Sequence, residues 1–349
     1  MKIALLLSGG VDSSVALKLL QKEGHEIEAF YLKIWLEDEL HSFNECPWED
    51  DLKYVREICE KEKIPLHVLP LQKEYFDKIV SYTVSEVEQG RTPNPDVLCN
   101  ERIKFGVFLD NIDATFDKIA TGHYADLEEL DERFLLKRNR DPVKDQTYFL
   151  SSLKQNQLKR IIFPIGKYTK NEVRELAESF DLPNMKRKDS QGLCFLGKIK
   201  FAEFIKSHLG VNKGDIVELD TGRILGQHDG FYYHTIGQRH GLDLSNGPWF
   251  VTEKDTEKNI VYVSHLENYK KQSKDTFCVS DFNWIDKKPN STELLLKIRH
   301  GEHFYNAKIN YIEEDKAEIQ INQKDQGVAA GQFAVFYDDK YCLGSAVIK

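Results

Sequence analysis

An apolar run, Ile3-Ala4-Leu5-Leu6-Leu7, passes without a spacer into Ser8-Gly9-Gly10-Val11-Asp12-Ser13-Ser14 and then into Val15-Ala16-Leu17-Lys18-Leu19-Leu20. That order predicts a buried strand, a tight loop and a helix, the opening unit of a parallel α/β sheet. Paired glycines let backbone N–H groups approach an oxyanion, and the hydroxyls of Ser8, Ser13 and Ser14 add donors. The positive end of the helix points at the same spot. The unit reads as a cradle for pyrophosphate.

Neither Gly-x-x-x-x-Gly-Lys-Ser/Thr nor Gly-x-Gly-x-x-Gly occurs, which weakens a kinase or dehydrogenase reading. The bland alternative is a serine-rich turn in which Ser8 merely caps a helix. The loop instead resembles that of the PP-loop ATP pyrophosphatases, which join AMP to a substrate oxygen and release pyrophosphate. Further along, short apolar runs alternate with amphipathic stretches: Ile27 to Tyr31, Leu52 to Cys59, Leu66 to Leu69, Phe76 to Val87, Ile103 to Phe116 and Ile119-Ala120. Such alternation predicts a parallel sheet with helices on both faces, whose carboxyl edge brings the Ser8 loop together with Thr121-Gly122-His123-Tyr124. A helical patch follows at Phe201 to Leu209. Strand patterns then dominate, as in Leu294 to Ile298, Ala317 to Ile321 and Ala334 to Tyr337. The expected organisation is a catalytic α/β domain over 1–200, a small linking domain over 201–275 and a terminal β-barrel over 276–349.

At 349 residues the chain can build several cores, and no apolar stretch approaches the ~20 residues needed to cross a bilayer. The phosphate loop begins too early for a leader segment, so a cytoplasmic protein is expected. A formal charge of −9 opposes indiscriminate nucleic-acid binding but permits a local basic face. Arg138, Arg140, Lys144, Lys154, Lys159, Arg160, Lys186, Arg187 and Lys188 are candidates for one, or simply a solvated surface. Cysteines at 46, 59, 99, 194, 278 and 342 show no Cys-x-x-Cys pair, so neither a zinc ribbon nor a disulfide framework is indicated.

Two cysteines lie in loop-like, polar surroundings. Gly90-Arg91-Thr92-Pro93-Asn94-Pro95-Asp96-Val97-Leu98-Cys99-Asn100 carries a carboxylate three residues before a thiol, on a segment stiffened by two prolines. Lys104, and a helix starting near Arg102, are expected to lower the Cys99 pKa and favour thiolate. The second is Cys194, in Lys188-Asp189-Ser190-Gln191-Gly192-Leu193-Cys194. Cys46, Cys59, Cys278 and Cys342 read as small buried hydrophobes.

The order of these segments resembles the bacterial tRNA-specific 2-thiouridylases of the MnmA type. The resemblance is carried by the Ser8 to Ser13 loop, Asn94-Pro95-Asp96 leading to Cys99, Thr121 to Tyr124, Lys144 to Leu150, Asp189 to Cys194, Tyr233 to Arg239, and Gly331-Gln332 before Ala334 to Tyr337. It spans nearly the whole chain. Gln191 stands where threonine is usual and Leu32 where a Met-like residue is common.

The resemblance implies that ATP adenylates the C2 oxygen of the wobble uridine and that sulfur then replaces it. It implies ATP contacts at Leu6, Leu7, Ser8, Gly9, Gly10, Val11, Asp12, Ser13, Leu32 and Gly122, with magnesium on the polyphosphate and no dedicated metal cage. Cys194 would receive a persulfide sulfur from a donor protein. Cys99 would be the nucleophile that frees that sulfur, leaving a Cys99–Cys194 disulfide for reduction. Asp96 would be the general acid/base, with Asn94 and Pro95 shaping the base pocket. His123, Lys144, Asp145, Gln146, Arg299, His300 and Gln332 would meet tRNA. An iron–sulfur cluster on Asp96, Cys99 and Cys194 is the less usual alternative. A monomer is expected. Outside this class stand a PP-loop ligase for a small substrate, which needs no paired cysteines, and an RNA-binding protein with a degenerate nucleotide fold.

Overall fold

Alternate side chains of strand β1 (Lys2–Leu6) enter two different cores. Ala4 and Leu6 pack with Val97, Leu98, Ile103 and Phe105, whereas Ile3 and Leu5 pack with Val15, Leu17, Val55 and Ile58. A strand apolar on both faces needs cover on both, so the run from Ile3 occupies the middle of a parallel sheet. The computed structural model describes residues 1–34, 47–189, 201–271 and 273–349. Cys46, Gln191 and Cys194 lie outside the described residues.

Beside β1 run β2 (Glu26–Lys33), β3 (Leu66–Pro70) and β4 (Lys118–Ala120). After a hairpin of β5 (Asp126–Leu130) and β6 (Arg133–Lys137) comes the short β7 (Ile161–Ile162). The sheet order is β3-β2-β1-β4-β7, with every pair parallel. The chain continues from β1 to one side while β4 lies on the other, which makes the β1/β4 boundary the switch point where such sheets bind ligands. Helices α1 (Val11–Lys22), α2 (Pro47–Glu62) and α3 (Lys170–Ser179) contribute to one face. Helical runs over 72–88 and 95–111 cover the other, and each contains a π-helical section, Phe76–Val80 and Cys99–Val107.

Helix α4 (Phe201–Leu209), at the expected helical patch, opens a middle unit. Its sheet comprises β8 (Gly214–Glu218), β9 (Ile224–His228), β10 (Trp249–Asp255) and β11 (Ile260–His265), in order β10-β11-β8-β9. The final strands are β12 (Lys274–Trp284), β13 (Glu293–Lys297), β14 (Tyr305–Glu313), β15 (Lys316–Asp325), β16 (Phe333–Tyr337) and β17 (Tyr341–Ile348). They form an antiparallel barrel that closes because β12, through register shifts, pairs with both β15 and β17. Alternation puts Phe277 and Val279 inside it and Cys278 outside, so Cys278 is exposed rather than buried as expected. Cys59 and Cys342 are buried as expected. The β5–β6 hairpin joins the barrel sheet, Tyr341 pairing with Lys137 and Cys342 with Leu136. Among the described residues, no helix is long and apolar enough to cross a membrane.

Candidate active site

At the carboxyl end of β1 the chain turns through Ser8, Gly9 and Gly10 into α1. Gly10 is the N-cap, in extended conformation, and no side chain caps the helix. Ser8 is therefore not a cap. Its hydroxyl lies 3.3 Å from Ser13 Oγ, while Ser13 and Ser14 donate to the Gly10 carbonyl at 3.0 and 2.9 Å. Tying the hydroxyls into the loop leaves the first-turn N–H groups to an anion. Gly9 has φ +78°, and a Cβ there would stand 2.6 Å from the Asp51 carbonyl oxygen. A Cβ on Gly122, just past β4, would stand 2.6 Å from Ser13 N, so glycine permits the two strand ends to meet across the switch point. Leu6 and Leu7 are buried at the base of the loop, and Leu32 is half-buried on the neighbouring strand.

Several residues that the sequence did not single out stitch the loop to 170–189. Asp12 accepts from the Tyr124 hydroxyl at 2.7 Å and from Lys170 Nζ at 2.8 and 3.0 Å. Lys170 also reaches Asp189 at 2.8 Å, where Lys144 at 2.9 Å and Arg174 converge. Burial would raise the Asp189 pKa, but hydrogen bonds from Lys170 and Lys144 hold the carboxyl well below the usual range. Asn184 donates to the Gly9 carbonyl at 2.8 Å and to Ser14 Oγ at 2.9 Å, and Arg187 to the Gly9 carbonyl at 3.0 Å. A Thr169–Glu172 capping box sets Lys170 at the first position of α3. That box was the one local signal for Lys170. Its partner Asp12 is 158 residues away in sequence.

Cys99 does not lie on a loop ahead of a helix, as expected. The helical run starts at Pro95, Asn94 caps it by accepting from Val97 N at 3.4 Å, and Asp96 falls in the first turn. Cys99 is 1% exposed, and burial pushes its thiol pKa up while Lys104 pulls it down only in part. The expected thiolate is thus replaced by a buried thiol, because burial outweighs Lys104 and the helix begins at Pro95, ahead of Cys99, rather than near Arg102. Gln157 enters the π-helical section, donating to the carbonyls of Glu101 at 3.0 Å and Phe105 at 2.7 Å, which accounts for the widened turn. Phe105 on that section faces His123, with ring centroids 6.2 Å apart, and so links the Cys99 helix to the strand end at Gly122. Burial, with Lys104 nearby, drives the His123 pKa well down; its Nδ1 lies 2.7 Å from Thr121 Oγ1.

The expected RNA-side residues divide. Lys144, Gln146 and His300 line one cleft of about 430 Å³ between the α/β unit and the barrel. His300 stacks on Phe149 at 4.8 Å, and burial lowers its pKa. Arg299 is exposed and pairs with Asp325 at 2.6 Å, and Gln332 sits on a barrel turn, half-buried. Asp145 departs from expectation. Its carboxylate is 1% exposed, 3.5 Å from the equally buried Lys297, so it braces the cleft from inside instead of facing RNA. Among the described residues, four of the nine residues of the expected basic face are ion-paired: Arg138 with Asp145, Arg140 with Glu172, Lys144 with Asp189 and Arg187 with Asp51.

Three family models match in succession: a tRNA methyl transferase HUP domain over residues 1–198, a tRNA methyl transferase PRC-barrel domain over 202–265 and an aminomethyltransferase beta-barrel domain over 274–348. The chain is 45% identical, over 100% of its length and 99% of the relative's, to the tRNA-specific 2-thiouridylase MnmA of Parabacteroides distasonis. It is 43% identical to MnmA 1 of Bacteroides thetaiotaomicron and 43% to MnmA of Porphyromonas gingivalis, again over 100% of this chain and 99% of each relative. The chain belongs to the MnmA family of tRNA-specific 2-thiouridylases. Within an MnmA framework the phosphate loop, Gly122 and His123 share one edge of the sheet, and Phe105 joins His123 to the helical run that bears Asp96 and Cys99. Asp189 anchors the start of the segment bearing Cys194, the second cysteine on which the MnmA resemblance turns.

Proposed function

We propose that this protein uses ATP to replace the C2 oxygen of a tRNA wobble uridine with sulfur. The observation that carries this reading is the meeting, through Gly122, His123 and Phe105, of an uncapped phosphate loop with a helix bearing Asp96 and Cys99. The uridine oxygen attacks the α-phosphorus of ATP, pyrophosphate leaves toward the Ser8 loop, and the urea-like oxygen becomes a leaving group as part of AMP. The terminal sulfur of a Cys194 persulfide, loaded by a donor protein, then attacks C2 and AMP departs. Cys99 attacks Cys194 Sγ, freeing the thiolated base and leaving a disulfide that an external thiol reduces. Because Cys99 rests as a buried thiol, it must lose its proton first, and Asp96, three residues earlier on the same helical run, is the proposed proton acceptor. Magnesium would neutralise polyphosphate charge, carried on the phosphate oxygens, since both carboxylate oxygens of Asp12 already accept from Lys170. His123, Lys144, Gln146, Arg299, His300 and Gln332 are proposed to meet tRNA across the cleft.

The descriptions of two family models name methyl transfer instead, a reaction that requires neither pyrophosphate release nor a thiol. Mass spectrometry of digested tRNA decides between them, after incubation with ATP, magnesium and a persulfide donor, for wild type, Cys99→Ala and Cys194→Ala. A sulfur-for-oxygen gain at the wobble uridine, lost in both variants, is expected. A methyl gain, or no gain with no pyrophosphate released, would sink the reading.

A further inference from the structure

Arg299, one of the residues proposed to meet tRNA, does not stand free on the barrel. It lies two residues past β13, and its Nη2 donates to Asp325 Oδ2 at 2.6 Å. Asp325 is the last residue of β15 and is buried, 8% exposed, whereas more than half of the Arg299 side chain is open to solvent. The carboxylate is itself held from two sides. The Tyr305 hydroxyl, at the start of β14, donates to the same Oδ2, and Gly327 N donates to Oδ1 at 2.5 Å. Gly327 also forms one wall of the seat, since a Cβ there would collide with Arg299 Nη1. The intervening Gln326 carbonyl accepts from the Tyr269 hydroxyl at 2.8 Å, which fastens the turn to the middle unit. Tyr269 in turn stacks on Phe250, with ring centroids 5.0 Å apart.

We propose that Asp325 is a positioning residue for RNA binding, fixing the Arg299 guanidinium as a preformed clamp for a phosphate of tRNA. The inference rests on the thiolation reading, in which Arg299 meets tRNA. An arginine on an exposed surface ordinarily loses rotamer freedom when it grips a ligand. Here that freedom is already restricted, and the bond to Asp325 uses only one edge of a planar fork that carries five N–H donors. The donors that remain match a phosphate, which such forks bind through two parallel hydrogen bonds. Charge alone predicts the opposite role for Asp325. A carboxylate beside the guanidinium weakens the attraction felt by a polyanion, so a mere counter-ion would tighten binding when neutralised, whereas a positioning group weakens it.

The test is equilibrium binding of an unmodified tRNA transcript bearing a wobble uridine, across a series of salt concentrations. It compares wild type, Arg299→Ala, Asp325→Asn and Gly327→Ala, with each of the last two also combined with Arg299→Ala. Arg299→Ala should weaken binding and lower the slope of log affinity against log salt by about 0.7–0.9, the loss of one phosphate contact. Asp325→Asn cannot satisfy Arg299, Tyr305 and Gly327 N together, because one of its two amide atoms is a donor, and should weaken binding about threefold or more. Gly327→Ala, which displaces the guanidinium and keeps the carboxylate, should do the same. In the Arg299→Ala background neither change should weaken binding further, and Asp325→Asn should tighten it. An unchanged salt slope in Arg299→Ala, unchanged or tighter binding by Asp325→Asn or Gly327→Ala alone, or an equal loss with and without Arg299 would each overturn the proposal. Wild type that binds this tRNA but forms no 2-thiouridine would sink the thiolation reading and leave the affinities to decide on Asp325. Wild type that does not bind it would sink both.

Discussion

Cys99 shows how little a residue's neighbours in sequence say about its charge. Lys104 five positions on predicted an acidic thiol, yet the hydrophobic pocket outweighs it and the resting group is neutral. A thiol whose folded pKa exceeds its unfolded value lends stability below the unfolded pKa, and that contribution is lost as pH rises through the folded one. Alkylation of Cys99 in the ligand-free protein should accordingly lag behind that of exposed Cys278 at neutral pH and climb as pH rises past the ordinary thiol range. Lys104→Gln should move the Cys99 profile to still higher pH; peptide mass spectrometry of iodoacetamide-treated protein reads both. Equal labelling of the two cysteines at neutral pH would refute the assignment. The loop residues Ser8 to Ser13 and Gly122 were legible because glycine and serine spacing encodes a local backbone shape. Lys170 and Asn184 were not, and Arg187 stood out only as a candidate for a basic face, because their meaning lies in contacts made across the fold.

At the scale of elements, periodicity revealed what repeats and missed what is short. The alternation through Ala120 and the strand patterns after Thr276 correspond to the parallel sheet and the barrel. The β5–β6 hairpin escaped notice for a definite reason: its turn is Asp131-Glu132, both at positive φ (50° and 62°), without the glycine that normally marks such a turn. The π-helical section at Cys99 was equally hidden, since the carbonyls it frees are met by Gln157 from a distant helix. Leu136, fully buried where the hairpin meets β17, should be worth about 2–5 kcal/mol when cut to alanine. Leu130→Ala, at 49% exposure on the same hairpin, should stay within about 0.5 kcal/mol. Urea denaturation followed by circular dichroism distinguishes the two, and equal effects would mean that the hairpin is not docked.

For the whole molecule, the junction between α/β unit and barrel is braced by a buried ion pair, Asp145 with Lys297, each 1% exposed, with Arg138 3.8 Å from the same carboxylate. Burial lowers the Lys297 pKa, the mark of a cation held out of water at some cost. Lys297→Met strands the carboxylate, though Arg138 remains beside it, and should cost about 3–5 kcal/mol; adding Asp145→Leu should recover much of that. A double-mutant cycle in denaturant measures the difference, and additive losses would show that the pair is not coupled.

The docked hairpin also orders events during synthesis. Lys137 and Tyr341, neighbours in one sheet, are roughly two hundred residues apart along the chain. At about 5–20 residues per second, a ribosome delivers the hairpin roughly 10–40 s before its partner strand exists. Gln155 can hold it meanwhile, since it bonds both the N–H and the carbonyl of Phe134. The outer edge of β6 stays unpaired and Leu136 stays wet throughout that interval, so a nascent chain cut short before Tyr341 carries an open strand edge ready to recruit another copy of itself.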